Sequence, residues 1–565
     1  MSPADRKRPA RSAARRRQIA RRRRVALALI LALVVVTAGV LVRACACNGP
    51  GGGAAGSDES GGDPGAVAAS APGIVPYAPV EYPARDGEGV KIATFLGDAT
   101  RRFYGRGPAP TSLDVLWRTE IGSGWSSGKE EDDPPGVWAG SGWTGQPALV
   151  RQGDRLLLLV PGYDHALHKL DAQDGRRLWR REYDDILKSS PSVFENPAAT
   201  GAGDRYIVCA GSRRGYPMEL DDPDIAPYRA FTLGKGEELW RLPVPQTAAY
   251  TRDCDGSGLY LDGRLYIGVE SGWMYALDPL ATEPWGEHRR PTVLAERLLL
   301  GDGGDDRHAD DLALEASPAL LGDRLYIASG AGHVYGLTLD TLDIVYDRRI
   351  GSDMNGTTVP TASGKLLVPV ERQYIDGQGG MMLIDPSKAA DADPEWYFPT
   401  GNQKLGDWRG GVIGSASVND AANADGRHPA LAAFSAIDGN LYVVAQDVLA
   451  DETAEGPNGE PGLATPRLVF SDHIGGSIST PIIVGDTIVA AGYDETVHLY
   501  RITYRKAREG DDGALPGRTG DWWKVAIRET ARQNIGASIE STPILWDGRV
   551  YVGARDGYFY CLGGR

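Results

Sequence analysis

The feature that most limits what this chain can fold into is a four-part pattern that returns along most of its length. It is clearest over residues 315–350. A short apolar run, 317–321, ends in a Gly-Asp turn; RLYIAS (324–329) comes next, and 330–332 turns the chain back. Residues 333–339 then alternate apolar and polar, and 343–350 form a fourth run after an Asp-Thr turn. Period-two alternation between tight turns is the mark of short antiparallel strands. One four-stranded sheet cannot cover both of its faces, so the pattern requires neighbours of its own kind.

The neighbours are present. The first run recurs as GQPAL (145–149), SSPSV (189–193), GSASV (414–418), STPII (479–483) and STPIL (541–545), with GSGLY (256–260) and TTVPT (357–361) as degenerate copies. The second and third runs recur as hairpins starting at Arg264, Thr487 and Arg549. The fourth often carries a tryptophan: Trp179, Trp240, Trp396 and Trp523. Eight units result, at intervals of about 40–65 residues, in the range of propeller blades with their loops. Residues 112–121, SLDVLWRTEI, form a fourth run with its tryptophan, Trp117, and no three runs before it. The last unit, 537–565, has three runs and no fourth. The two deficits match, so the N-terminal strand is expected to complete the C-terminal blade and remove the open edge.

These motifs resemble the pyrroloquinoline-quinone-like (PQQ-like) repeat: xSPxx, a Gly-Asp or Asp-Gly turn, a hairpin of the kind RVYVGARDGYFYCLG, and a tryptophan-bearing strand. The resemblance covers residues 112–565. It implies an all-β, eight-bladed β-propeller of four-stranded blades. The family includes quinoprotein dehydrogenases and cofactor-free relatives such as the scaffold lipoprotein of the outer-membrane barrel-assembly machinery. Fold alone does not choose between those activities.

Ahead of the repeats the composition changes. Residues 1–24 are a basic tail, expected to be cytoplasmic. Residues 25–42, VALALILALVVVTAGVLV, are apolar enough for one transmembrane helix, a signal anchor that places the C-terminal remainder of the chain outside the cytoplasm. A cleaved signal peptide, and lipidation at Cys45 or Cys47, remain alternatives. Residues 43–75 read as a flexible Gly/Ala/Ser linker. Residues 76–111 gain aromatics without a strand pattern and read as a lead-in packing on the propeller.

The formal charge is −15. The first 43 residues hold about +11, which leaves the body near −26 and excludes nucleic acid as its partner. Five cysteines in 565 residues make no disulfide scaffold. Cys209 and Cys254 are either a disulfide of an oxidising compartment or two buried thiols.

The family's geometry puts the loops entering first strands and the hairpins joining second to third strands on one face. That face would gather Arg252, Asp253, Asp255, Glu315, Asp353, Asn355, Arg409, His473 and Glu540 from the loops, and Arg213, Glu371 and Arg372 from the hairpins. Lys188, Glu270, Tyr163, Tyr493 and Arg555 fall there too. The face is either a partner site or a solvated rim of internal ion pairs. The acidic stretch 129–135, with Trp138 and Trp143 after it, reads as a flap over the mouth or as packing on the first blade. Two insertions on the opposite face, 448–466 and 505–521, read as mobile loops.

The quinoprotein reading implies PQQ and calcium, for which Glu315, Asn355 and Asp353 are suitable residue types. Adjacent cysteines and a CxxCH haem motif, which accompany that chemistry, are absent from the sequence. No catalytic residue and no metal set is assigned. The expected function is a non-catalytic protein-binding or scaffold module of the cell envelope, periplasmic or extracellular and monomeric, with an envelope protein as partner. The alternatives are a PQQ/calcium-dependent oxidoreductase, or a sensor or carbohydrate-binding module.

Overall fold

The computed structural model describes residues 86–127, 136–143, 145–301, 307–406 and 408–565. The expected anchor, residues 25–42, the linker and both candidate lipidation cysteines lie outside these. Among the described residues no helix is long and apolar enough to cross a membrane.

Eight four-stranded sheets, three of them extended by one strand, succeed each other round a ring. In the fourth blade Ala319–Leu321, Arg324–Ala328, His333–Thr338 and Ile344–Arg349 pair in order. Closure is as the sequence predicts. Asp114–Glu120 pairs antiparallel with Tyr558–Gly563, so the earliest blade strand is the outer strand of the last blade.

The xSPxx motif has a structural cause. Its second position places a hydroxyl where it accepts from a backbone N–H of the preceding blade. Ser257 N donates to Ser317 Oγ (2.9 Å), Ser317 N to Thr357 Oγ1 (3.0 Å), and Thr357 N to Ser415 Oγ (2.9 Å). Ser415 N then donates to Thr480 Oγ1 (2.9 Å), and Thr480 N to Thr542 Oγ1 (3.2 Å). Thr542 N donates to Gly145 O (3.2 Å), and Gln146 N to Ser190 Oγ (2.7 Å), which carries the belt across the seam. Buried N–H groups that no sheet ladder can reach are satisfied in this way.

The tryptophans do the same at the outer edge. Trp117 Nε1 donates to Ala172 O (3.3 Å), Trp179 to Leu233 O (3.1 Å), Trp240 to Pro279 O (2.9 Å) and Trp396 to Gln446 O (2.9 Å). Each ties a fourth strand to the next blade. In blades three and four an arginine takes over: Arg297 Nε bonds Leu342 O (3.1 Å) and Arg348 Nη1 bonds Ala392 O (2.7 Å). Trp523 differs, bonding back to Arg427 O of the preceding blade (2.7 Å).

Two expectations change. Residues 448–466 and 505–521 are not simply mobile loops. In the first, 448–454 and 463–466 belong to the long hairpin of Asn440–Ala454 with Leu463–His473. In the second, 505–507 end a strand of the hairpin of Thr496–Ala507 with Trp522–Asn534, and Ala514–Pro516 folds back to pair with that hairpin's outer strand. Alternation such as Leu463–His473 continues the sheet ladder outward despite the surrounding Gly, Pro and charge. The third blade has a similar arm, Trp273–Trp285 with His288–Leu298.

The lead-in, expected to pack on the propeller without strands, runs inside the ring as a strap. Gly89–Ile92 pairs with the first strand of blade one, and Gly105–Arg106 runs parallel to Ile544–Trp546 of blade eight. Between them Thr94 Oγ1 donates to Gly258 O (2.7 Å), and Leu320 N donates to Ala99 O (2.8 Å). Arg102 pairs with Asp420 (3.2 Å), and Val418 N donates to the Tyr104 hydroxyl (3.0 Å). Gly105 is required there. Its φ is +141°, and a Cβ would lie 1.8 Å from Leu545 O. Phe95, Leu96 and Tyr104 join the core formed by blades five to eight.

Candidate functional site

First strands run from the entry face, where the inter-blade loops arrive, to the opposite face. The strap's partners lie along the middle and far halves of those strands, so it forms a floor beneath the entry-face loops. Gln146 ties this floor to the ring: Leu96 N donates to Gln146 Oε1 (2.8 Å), while Gln146 Nε2 donates to Pro543 O (2.9 Å).

Above the floor the predicted residues come together as buried and half-buried pairs rather than as a solvated rim. Lys188 Nζ lies 2.5 Å from Asp255 Oδ2 and 4.0 Å from the centre of the Trp143 ring. Arg213 Nε bonds Asp253 Oδ2 (2.8 Å), and its Nη1 reaches Ser127 O (2.8 Å). Tyr250 donates to Glu315 Oε1 (3.1 Å). Arg555 pairs with Glu540 (2.9 Å), which also accepts from Tyr493 (3.2 Å). Asn355 Nδ2 lies 3.4 Å from Asp353 Oδ2 and 3.2 Å from Glu371 Oε2.

The electrostatics are unbalanced. Burial raises Asp255 to about 6 against the pull of Lys188, and Glu315 and Asp253 add repulsion. Burial, then the charges of Asp255 and Glu315, push Glu270 well above its ordinary range. Burial works to lower Lys188, but Asp255, Glu315 and Glu270 together raise it. Burial would raise Asp253 too, yet the Arg213 charge holds it below the usual carboxylate range.

Other predicted residues serve elsewhere. Arg252 staples a loop, bonding Val244 O (2.6 Å), Leu220 O (2.8 Å) and Asp222 O (2.7 Å). Arg372 bonds through its backbone to Gly410 O (3.0 Å). Arg409 is exposed, and His473 is an exposed residue 3.4 Å from Asn440 Oδ1. Cys209 and Cys254 are buried free thiols, as is Cys561.

Two residues were not singled out by the sequence. Trp408 meets Trp143 with ring centres 6.1 Å apart, over Ile413, Ile437 and Ile478. Tyr250 closes on Glu315. A tryptophan inside a Gly-rich inter-blade loop, GDWRG, was the available signal for Trp408. Of the expected flap, residues 129–135 lie outside the described residues. Trp138 packs edge-on against Tyr163 at 5.4 Å, with Arg555 4.8 Å above its ring.

A calcium ion with its quinone needs several converging oxygen ligands. Among the described residues no three His, Cys, Asp or Glu side chains converge in that way. The Asn355 amide turns its N–H side toward the two carboxylates, and the Lys188 ammonium stands within the acidic cluster. The donor set does not fit the group, and no reaction step is derived through it.

No protein-family model matches the chain. It is 25% identical over 246 residues to the outer membrane protein assembly factor BamB of Shewanella oneidensis, a match covering 42% of this chain and 54% of that protein. The chain thus spans about half the length of this curated relative. Among solved structures, BamB from Moraxella catarrhalis superposes with a TM-score of 0.43 at 12% identity, covering 80% of this chain and 98% of that one. Quinohemoprotein alcohol dehydrogenase from Comamonas testosteroni gives 0.48 at 13%, covering 85% and 81%.

Proposed function

We propose that the chain is a non-catalytic binding or scaffold propeller of the cell envelope, anchored through residues 25–42 and offering its entry face to a protein partner. The observation that carries this reading is the strap. The ring's interior is occupied by the chain's own residues 89–106, bonded to six of the eight blades, which leaves the entry face as a rigid platform. Buried ion pairs fix the loops of that platform, and pre-fixed loops lower the ordering cost of binding. The aromatic pair Trp143–Trp408 at its centre has the composition of an interface anchor. Similarity to an outer-membrane assembly factor points the same way.

The test is photocrosslinking in intact envelopes, with the reactive group at exposed Arg409 and, separately, at exposed Leu449 on the sixth-blade arm. A discrete protein adduct from position 409 and none from position 449 supports the reading. Adducts from 449 alone place the partner on the arms and refute the entry face. External protease should release the propeller from envelopes with a permeable outer layer. Full protection would reverse the assigned orientation.

A further inference from the structure

The acidic cluster beside Lys188 holds more carboxyls than its neighbouring cations match. Asp255, Glu270 and Glu315 all act on Lys188, while Arg213, the other cation acting there, is already bonded to Asp253. Each carboxyl also keeps an oxygen that is buried and has no hydrogen-bond partner: Asp255 Oδ1, Glu270 Oε1 and Glu315 Oε2. Glu270 is 2% exposed, Asp255 and Glu315 7% each. Buried acceptors are ordinarily satisfied, and three on one cluster call for a donor. The surroundings define the donor's chemistry. The three acids do not converge as metal ligands, whereas a group with several N–H bonds can serve separated acceptors. An ammonium already rests on the Trp143 face, and Trp408 continues that aromatic surface.

We propose that this cluster receives a second cation from outside, the ammonium or guanidinium group of a lysine or arginine side chain on the bound protein. The inference rests on the reading of the entry face as the partner face and names what that face recognises. Burial holds the Glu270 proton more tightly than that of an ordinary carboxyl, so an arriving cation favours its release.

The test uses the purified full-length chain titrated with n-butylammonium and n-butylguanidinium at neutral pH. Tryptophan fluorescence and calorimetry in two buffers of different ionisation heat provide the readouts. Saturable binding with net proton release is expected. Glu270→Gln should weaken it by about tenfold or more, and Glu238→Gln, on the second blade's outer strand, should leave it unchanged. No saturable binding of either probe overturns the proposal. So does equal affinity for tetramethylammonium, which has no N–H, or stronger binding of calcium than of both probes. Should Glu270→Gln not fold, Glu315→Gln serves in its place, and the wild-type titration still decides. The two readings fail separately. Probe binding without a crosslinked partner sinks the scaffold reading and supports the cation site. Crosslinking that Glu270→Gln does not weaken, with no probe binding, sinks the cation site alone.

Discussion

Arg101 and Pro318 stand 217 residues apart in the chain and are joined by two hydrogen bonds: Arg101 Nε and Nη2 both donate to the Pro318 carbonyl, at 2.9 and 2.7 Å. The same guanidinium reaches Phe95 O (2.6 Å), Thr94 Oγ1 (2.9 Å) and Ser257 O (3.2 Å). It is fully buried and fastens the strap to the inner wall of blades three and four. Carbonyls and one hydroxyl, rather than a paired carboxylate, take its hydrogen bonds.

Removing that hub leaves several carbonyls without a donor inside the ring. Arg101→Met is expected to lower stability by about 3–5 kcal/mol, the range for breaking a buried charged network. Arg101→Lys should recover little, since one ammonium cannot span the same acceptors. Guanidinium melts measure both. A methionine variant as stable as the parent would mean that the strap contributes no stability through this residue.

Closure by Trp117's strand gives a second prediction. Deleting residues 112–121 strips the outer strand from Tyr558–Gly563 and exposes a sheet edge. The deleted protein should aggregate on size-exclusion chromatography, whereas Trp117→Phe should remain soluble and lose about 1 kcal/mol for the bond to Ala172 O. A soluble deletion variant with an unchanged melt would show that the ring does not depend on this strand.

Much of this fold was legible because the belt and the latches are written in residue type. The Ser or Thr before proline, and the fourth-strand tryptophan, each serve a bond that recurs from blade to blade. Reading slipped where the residue varies. In blade five the hydroxyl that matches the others is Thr357, so the aligned run is 356–360 rather than 357–361. The strap escaped because its two short strands pair with distant blades, and no local period reports that. The charges at the mouth were found as types on one face. Their burial and pairing were not, because a loop sequence does not say which neighbour closes over it. The Lys188–Asp255 pair illustrates this, since each residue alone reads as a solvated loop charge.

Thiol chemistry offers a direct check on the interior. Burial drives the Cys209 and Cys254 thiols far above their ordinary pKa and lifts Cys561 to about 12. Thiolate is the reactive form. In the folded chain these three should resist iodoacetamide at pH 8 and react fully after denaturation, with no reductant needed. Peptide mapping by mass spectrometry reads each site. A Cys209–Cys254 disulfide in that map would contradict the free-thiol arrangement.

The buried acids also set a pH dependence with a definite sign. Asp255 has a folded pKa of about 6, above its ordinary 3.8, because burial disfavours its charge more than Lys188 restores it. The folded chain therefore holds this proton more tightly than the unfolded chain. Its contribution to stability is greatest below the unfolded pKa and is lost as pH rises toward and past 6. The shift corresponds to about 3 kcal/mol across that window. Glu270 shifts in the same direction and extends the loss upward, with Glu315, Asp253 and Lys188 as the other charges facing the pair. His498 adds a separate loss. Burial works against its charge, but bonds to Asp494 and Glu529 raise its pKa, so its stabilising contribution disappears as pH climbs through that raised value. Melting temperature should fall from pH 5 to pH 8. Asp255→Asn should flatten the lower part of the fall, and His498→Asn only the upper part. A melting temperature that rises across this range, or a slope unchanged by Asp255→Asn, would show that the carboxyl is ionised in the folded chain and that Lys188 alone compensates it.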